Sequence, residues 1–335
     1  MIMVVFLHSY NIDIKQGGAV LFFDKGLNWF IQNFISNGLT RIAVPLFFII
    51  SGYLFVLDEK TAIGDFIVKI KKRFRTLVVP YLFWAFFGIL FYFILQSLPQ
   101  SQSFFTKKLI KDYALLEWIN AIINDPIPYQ LWFLKDLIVM VFLSPVIYFL
   151  IKKAREAFLL IMLSFWLFNQ DTIFLTSEAL LFFSLGMYIT IFKKNYPKID
   201  NSNTVLFCLL WFLLLALKTT IGFLNYSSLI EMLLLKGSII IGLLAFWKLY
   251  DKILVKINYS FFDKWIEFSF FLYVFHEPML TIIKKGIFSA ISKTQSSYML
   301  VYFMAPIIAI VISIVFGKVL KAKFTPIYKI VTGNR

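Results

Sequence analysis

The chain is poor in the residues that several protein classes require. It holds one cysteine, two histidines, 10 prolines and 14 glycines in 335 residues, and 18 Asp and Glu stand against 33 Lys and Arg. The single cysteine, Cys208, excludes a disulfide framework and a cysteine-based metal site, so we expect no metal. The basic residues accompany no RNA- or DNA-binding motif, which argues against a nucleic-acid partner. Without repeats, low-complexity tracts or Pro/Gly linkers, residues 1–335 are predicted to form a single domain.

Apolar residues are abundant instead. They make up 60% of the chain, aromatic residues make up 19%, and the mean hydropathy is +0.82. Nine stretches approach the ~20 residues that a helix needs to cross a ~30 Å hydrocarbon core. They lie at about 42–57, 77–95, 131–151, 157–170, 178–192, 204–222, 227–249, 265–283 and 298–317. The sequence therefore predicts an all-α, polytopic transmembrane helix bundle that contacts membrane lipids as one integral-membrane domain.

The basic residues predict the orientation of this bundle. The segments after alternate spans hold 21 of the 33 Lys and Arg, and such residues stay on the cytoplasmic side. The C-terminus and the loop at 58–76 are therefore predicted to be cytoplasmic. Residues 9–40, 96–130 and 284–297 are predicted to lie outside. The net charge of +15 fits basic clusters held at anionic headgroups.

The beginning of the chain is short of apolar residues. If residues 9–40 lie outside, residues 1–7 must cross from the cytoplasm, yet they form only ~10 Å of helix. Either the first span is truncated or it is a half-helix, and we expect truncation. A cleaved signal peptide is disfavoured because no basic region precedes it and no small-residue cleavage site follows.

Two amphipathic segments, residues 20–35 and 104–123, alternate apolar and polar residues with a helical period. They could roof a cavity from the outside, or they could simply cover the bundle.

Polar residues at membrane depth are costly and are the places to look for chemistry. Both histidines, His8 and His276, fall in or beside apolar stretches, and Glu277 and Pro278 follow His276 directly. Each histidine could instead be a core residue bonded to the backbone, although finding both in such places weakens that interpretation.

Other candidates have ordinary structural interpretations. Arg41 could snorkel to headgroups. Ser51 and Gly52 could allow close helix approach, and Trp132 could be an interfacial anchor. The basic run at residues 69–75 could serve only to set topology, although its two arginines could also hold a nucleotide phosphate.

Taken in order, the motifs resemble those of the acyltransferase 3 family of membrane O-acyltransferases, over almost the whole chain. The matching features are His8 after an apolar run, residues 41–54, Lys72-Arg73-Phe74-Arg75 leading to Pro80-Tyr81-Leu82-Phe83-Trp84, then Trp132-Phe133-Leu134, and Ser269-Phe270-Phe271-Leu272-Tyr273-Val274-Phe275-His276.

This resemblance implies about ten transmembrane helices in a bacterial cytoplasmic (inner) membrane. It also implies an acyl-CoA donor in the cytoplasm, no bound cofactor, and transfer of an acyl group, commonly acetyl, to a hydroxyl of an envelope glycan. His8 matches the family's catalytic histidine, whereas the arginine that the family places about ten residues upstream would fall before Met1.

The roles follow from what acyl transfer to an alcohol needs. His8 is the candidate base, and Arg41 would stabilise negative charge on the thioester oxygen. The CoA phosphates would bind Lys72, Arg73 and Arg75. Further candidates are Ser51, Tyr53, Trp132, His276 and Glu277.

Direct transfer is favoured because no serine motif resembles an activated nucleophile, although an acyl-enzyme stage stays open. The competing interpretation is a transporter or flippase for a lipid-linked glycan, which predicts inverted repeats that we do not find. A purely structural membrane component ranks third.

Overall fold

The computed structural model describes residues 1–12, 25–57, 63–99, 105, 108–193, 203–254, 265–292 and 294–334, and these residues form helices without a strand. Residues 20–24 of the first amphipathic segment and Lys60 lie outside the described residues, as do 104, 106 and 107 of the second segment. The predicted all-α, polytopic bundle is confirmed.

Thirteen α-helices are found in the described residues. In chain order they are α1 Ile2–Leu7, α2 Leu27–Ile35, α3 Ala43–Phe55, α4 Ile63–Arg73, α5 Val79–Ser97, α6 Leu115–Ile123, α7 Trp132–Leu167, α8 Ser177–Lys193, α9 Thr204–Phe223, α10 Ser228–Leu254, α11 Ser269–Ala290, α12 Gln295–Lys323 and α13 Thr325–Thr332. A π-helical turn, Phe74–Val78, joins α4 to α5. Short 3₁₀ turns lie at Leu39–Ile42, Ile110–Asp112 and Tyr129–Leu131.

Six helical stretches of the described chain are long and apolar enough to cross a membrane. They are Leu27–Phe55, Gly64–Ser97, Tyr129–Leu167, Thr204–Phe223, Ser228–Ile253 and Gln295–Lys323. Helix α8 is shorter, and α11 carries a histidine, a glutamate and two lysines, so these two predicted spans are not among the six. The stretches predicted at 131–151 and 157–170 form the single element α7, whose backbone breaks at Arg155 (φ 45°, ψ −122°).

The contacts divide the chain into two compact units, and the single-domain organisation stays a prediction. Unit 1 comprises Met1–Trp29, Arg73–Lys135 and Lys264–Arg335. In it, α11 packs on α12, α1 packs on both, and α13 packs on α5 and α12. Its apolar core contains Val5, Leu272, Leu280, Phe288, Tyr298, Val301, Ala305 and Ala309.

Unit 2 comprises Phe30–Lys72 and Asp136–Asp263, and two helix pairs dominate it, α3 with α8 and α9 with α10. Glycines allow the first pair to approach closely. A Cβ on Gly52 would lie 2.0 Å from the Phe183 carbonyl oxygen, and one on Gly186 would lie 2.0 Å from that of Ile49. Gly52 therefore allows the close helix approach given above as an ordinary structural interpretation of this position.

Candidate active site

Helix α11 is broken in its middle, and the break follows from the sequence. Pro278 has no N–H, so it cannot donate to the carbonyl of Val274 four residues earlier. Glu277, just before it, has the extended conformation φ −111°, ψ 135° that residues preceding proline favour. The break therefore leaves carbonyl groups of the buried helix without an intrahelical donor at this point.

Gln130 satisfies these carbonyl groups. Its Nε2 donates to the Val274 oxygen at 3.1 Å and to the Glu277 oxygen at 2.8 Å. In return, the phenol hydroxyl of Tyr273 donates to the backbone carbonyl oxygen of Gln130 at 2.7 Å. The turn Tyr129–Leu131 is thereby fixed against the break, directly before α7 begins at Trp132.

His276 is completely buried at this break, and its protonation follows from its partners. Its Nδ1 lies 2.7 Å from the Tyr273 oxygen and 3.2 Å from the Leu272 oxygen. Carbonyl oxygens only accept, so Nδ1 carries a proton, and in the neutral form of the ring Nε2 keeps a lone pair. Nε2 is buried and has no hydrogen-bond partner in the described part of the chain.

His8 lies beside His276. It is half-buried at the C-cap of α1, with its ring centroid 5.4 Å from that of His276 and 4.9 Å from that of Tyr129. The two histidines are 268 positions apart, so only the fold brings them together.

A buried lysine, Lys284, fixes the end of α1. Its Nζ donates to the His8 oxygen at 2.8 Å and lies 3.4 Å from the Tyr10 oxygen, and the residue is 5% exposed. A cation at the C-terminal carbonyls of a helix is favourable for both hydrogen bonding and the helix dipole. Lys284 also interacts electrostatically with Glu277.

Glu277 connects the break to Tyr129. The Tyr129 hydroxyl donates to its Oε1 at 3.0 Å, and the Thr281 N–H donates to its Oε2 at 3.4 Å. Glu277 thus caps the second half of α11, which begins at Pro278. Tyr129 and Thr281 also line a cavity of about 780 Å³ in unit 1.

The site therefore holds two imidazoles, a phenol, a carboxylate and an ammonium group beside a cavity. The sequence profile of the acyltransferase domain of the acyltransferase 3 family matches residues 1–318. The chain belongs to this family. It is similar to the succinoglycan biosynthesis protein ExoH of Rhizobium meliloti (strain 1021), with 26% identity over 343 residues, 99% of this chain and 89% of the relative. No solved structure matches.

Family membership makes the protein a membrane O-acyltransferase, as the motifs predicted, and it decides against the transporter interpretation.

Three other predicted site residues lie in unit 2 of the acyltransferase. Arg41 is exposed and interacts electrostatically with Glu178. Ser51 and Tyr53 are half-buried on α3. The backbone carbonyl oxygen of Tyr53 accepts a hydrogen bond from Thr190 Oγ1 at 3.0 Å.

The predicted phosphate-binding residues lie where α4 meets α5. Lys72 and Arg75 are exposed and Arg73 is half-buried. Gly333, at the end of α13, lies against Thr76 of the π-helical turn. Thr76, the last residue of the predicted cytoplasmic loop, therefore lies against the predicted cytoplasmic C-terminus within unit 1. Trp132 is half-buried at the start of α7, edge-on to Phe133.

Sequence reasoning missed Tyr129, Gln130 and Lys284. Pro278 inside an apolar stretch was a usable signal, because it predicts an orphaned carbonyl that some polar residue must satisfy. Lys284 was assigned to the outer loop at 284–297, whereas α11 continues to Ala290 and buries it.

Proposed function

We propose that this acyltransferase moves an acyl group, by family default acetyl, from cytoplasmic acyl-CoA to a hydroxyl of an envelope polysaccharide. The observation that carries the proposal is the meeting of His8 and His276 at a broken helix beside a cavity. The name of the relative, a succinoglycan biosynthesis protein, supports a polysaccharide as acceptor.

The geometry of α5 supports opposite entry of the two substrates. The basic residues Arg73 and Arg75 precede its first turn, and the cavity lies at its last turns with Gln96. The 19 residues of α5 correspond to ~28 Å, about the thickness of the hydrocarbon core. The donor phosphates would bind at one end, with Lys72 contributing, and the acceptor would enter at the other.

In the proposed reaction His8 removes the proton of the acceptor hydroxyl as its oxygen attacks the thioester carbonyl. The tetrahedral intermediate then expels the CoA thiolate, which takes up the proton from His8. The products are the acyl ester and CoA thiol, so protons and electrons balance without a cofactor.

The neighbouring groups have supporting roles in this proposal. Lys284 holds the backbone of His8, Glu277 orients Tyr129, and Tyr129 contacts the His8 ring. The role predicted for Arg41, stabilisation of negative charge on the thioester oxygen, stays a prediction.

The deciding experiment replaces His8 by Gln, which preserves size and hydrogen bonding but cannot accept the proton. We expect transfer of labelled acetyl from acetyl-CoA to envelope polysaccharide to fall at least ~100-fold in His8→Gln and His8→Ala alike, a typical general-base contribution. Expression and thermal unfolding should stay close to the parent protein, since His8 is only half-buried.

His276→Gln is the matched comparison. Substantial transfer by His8→Gln together with loss in His276→Gln would assign the base to His276, whose Nε2 carries the free lone pair. A parent protein that transfers no acyl group to any polysaccharide would refute the proposed function.

A further inference from the structure

The cavity beside the candidate active site is built from four parts of unit 1. The C-terminal half of α5, residues 108–113, α6 with the following loop, and the second half of α11 all contribute to its wall. Its volume of about 780 Å³ falls within the ~300–1,000 Å³ typical of small-molecule sites. The described part of the segment at 104–123 thus lines a cavity, whereas its location outside the membrane stays a prediction.

Two otherwise apolar helices turn a polar face toward this cavity. Tyr92 and Gln96 are four residues apart on α5, and Thr281 and Lys285 are four residues apart on α11. Residues at this spacing share one face of a helix. Polar faces on helices at membrane depth are found where the helix borders a water-filled space.

The charges in the wall balance. Lys108 and Lys285 are opposed by Glu117 and Asp125. Lys108 forms a salt bridge of 2.6 Å with Glu117, and this hydrogen bond, with a second from the Ala114 N–H, lowers the pKa of the Glu117 carboxyl. The Glu117 carboxyl therefore stays ionised at neutral pH. A wall without net positive charge does not favour the phosphates of CoA, whereas it suits an uncharged group.

The remaining wall residues combine flat rings with amide groups. Tyr92, Phe105 and Tyr113 offer aromatic rings. The side-chain oxygens of Gln96 and Asn120 accept from the Ile110 N–H and from Asn124 Nδ2, so these two residues offer their NH₂ groups as donors. A sugar ring presents apolar C–H faces to aromatic rings and hydroxyl groups to amides and phenols.

We propose that this cavity is the acceptor subsite and that it binds uncharged sugar residues of the polysaccharide. The reacting hydroxyl would stand at Tyr129, which lines the cavity and also contacts the His8 ring. This inference rests on the proposed function and specifies its acceptor.

The test measures binding and catalysis separately on the full-length protein in nanodiscs. The probe is the uncharged fraction of oligosaccharides released from succinoglycan by partial acid hydrolysis. In Tyr92→Leu and in Asn120→Ala we expect the Kd, measured without acyl-CoA, and the KM for the oligosaccharide to rise at least tenfold. The KM for acetyl-CoA should stay unchanged. Phe93→Leu, the adjacent exposed position of α5 outside the cavity wall, is the matched control and should change neither value.

Asn120 lies exposed on α6, so its variant keeps the test decisive if Tyr92→Leu folds poorly. Unchanged acceptor Kd and KM in Asn120→Ala and Tyr92→Leu would overturn the subsite, as would a raised KM for acetyl-CoA alone. Failure of the proposed function would look different: His8→Gln would retain transfer, or the parent protein would bind oligosaccharide without acylating it.

Discussion

Both units bury charged side chains in helices, but they satisfy them differently. In unit 2, Lys236 donates to the Trp166 oxygen and to Asn169 Oδ1, the latter at 2.7 Å. Lys218 pairs with Glu231 at 3.3 Å. Asp136 accepts hydrogen bonds from the N–H and the hydroxyl of Thr176, at 3.0 and 2.6 Å. These groups link neighbouring helices and compensate one another.

Unit 1 instead collects its polar groups at one place, the break in α11, beside a cavity. Both His276 Nε2 and Gln130 Oε1 are buried without a hydrogen-bond partner among the described residues. Leaving a buried polar atom unpaired costs ~1–3 kcal/mol, so such atoms call for an explanation. Ser184 Oγ and Trp211 Nε1 of unit 2 are unpaired among the described residues as well, so unit 1 differs by gathering His276, Gln130 and Glu277 at one break in a helix. From this difference we expect the buried charges of unit 2 to serve stability and those of unit 1 to serve chemistry.

The largest expected effect is on the scaffold of unit 2. In Gly52→Ala the new methyl group would lie 2.0 Å from the Phe183 oxygen, a backbone atom that cannot yield easily. Forcing α3 and α8 apart should cost roughly 1–3 kcal/mol or more, and we expect a lower thermal unfolding midpoint and a poor yield of folded protein.

Gly237→Ala is the control for this change. A Cβ there meets no atom within 4 Å, and alanine is the better helix former by ~1 kcal/mol. Equal unfolding midpoints for both variants would show that the glycine contact does not hold the two helices together.

A matched pair of lysines tests the contrast itself. Lys236 and Lys284 are 6% and 5% exposed, and each donates to a backbone oxygen in its own unit. Lys236→Met should lower stability by ~1–3 kcal/mol, because it leaves the Trp166 oxygen and Asn169 Oδ1 without their donor, while transfer per folded molecule stays within about twofold of the parent.

Lys284→Met should instead lower kcat by ~100-fold while the KM values for the acceptor and for acetyl-CoA stay unchanged. Without Lys284 the backbone of His8 is no longer held, and a shift of about 1 Å takes the proposed base out of alignment with the acceptor hydroxyl. Lys284→Arg, which can still donate to the His8 oxygen, should recover part of kcat. If Lys284→Met reduced only stability and left kcat unchanged, Lys284 would have a structural role like that of Lys236.

The smallest effect is expected at the donor end of α5. Arg73→Ala with Arg75→Ala should raise the KM for acetyl-CoA about tenfold, because charge pairs at solvent-exposed positions contribute ~0.2–1 kcal/mol each. Lys71→Ala, an exposed position in the same run, is the control and should change it less. If the double variant kept the KM of the parent protein for acetyl-CoA, the basic residues at 69–75 would serve only to set the membrane topology.

Much of the architecture and part of the site could be predicted from sequence. Long apolar stretches predicted the helices because lipid leaves backbone groups no other partner. His276, Glu277 and Pro278 stood out because polar groups and proline are unusual at membrane depth. The family motifs pointed to His8 and to acyl transfer. Tyr129, Gln130 and Lys284 escaped notice because a tyrosine, a glutamine and a lysine at the edges of apolar stretches are ordinary.

By itself, then, the sequence determined that the chain is an all-helical membrane acyltransferase and where α11 had to break, since these depend on local composition and on the missing N–H of Pro278. Only the tertiary structure decided that His8 meets His276 and Tyr129, that Gln130 fills the gap left by Pro278, and that Lys284 holds His8. These contacts join residues more than 100 positions apart, and their partners are set by helix packing, which local pattern does not encode.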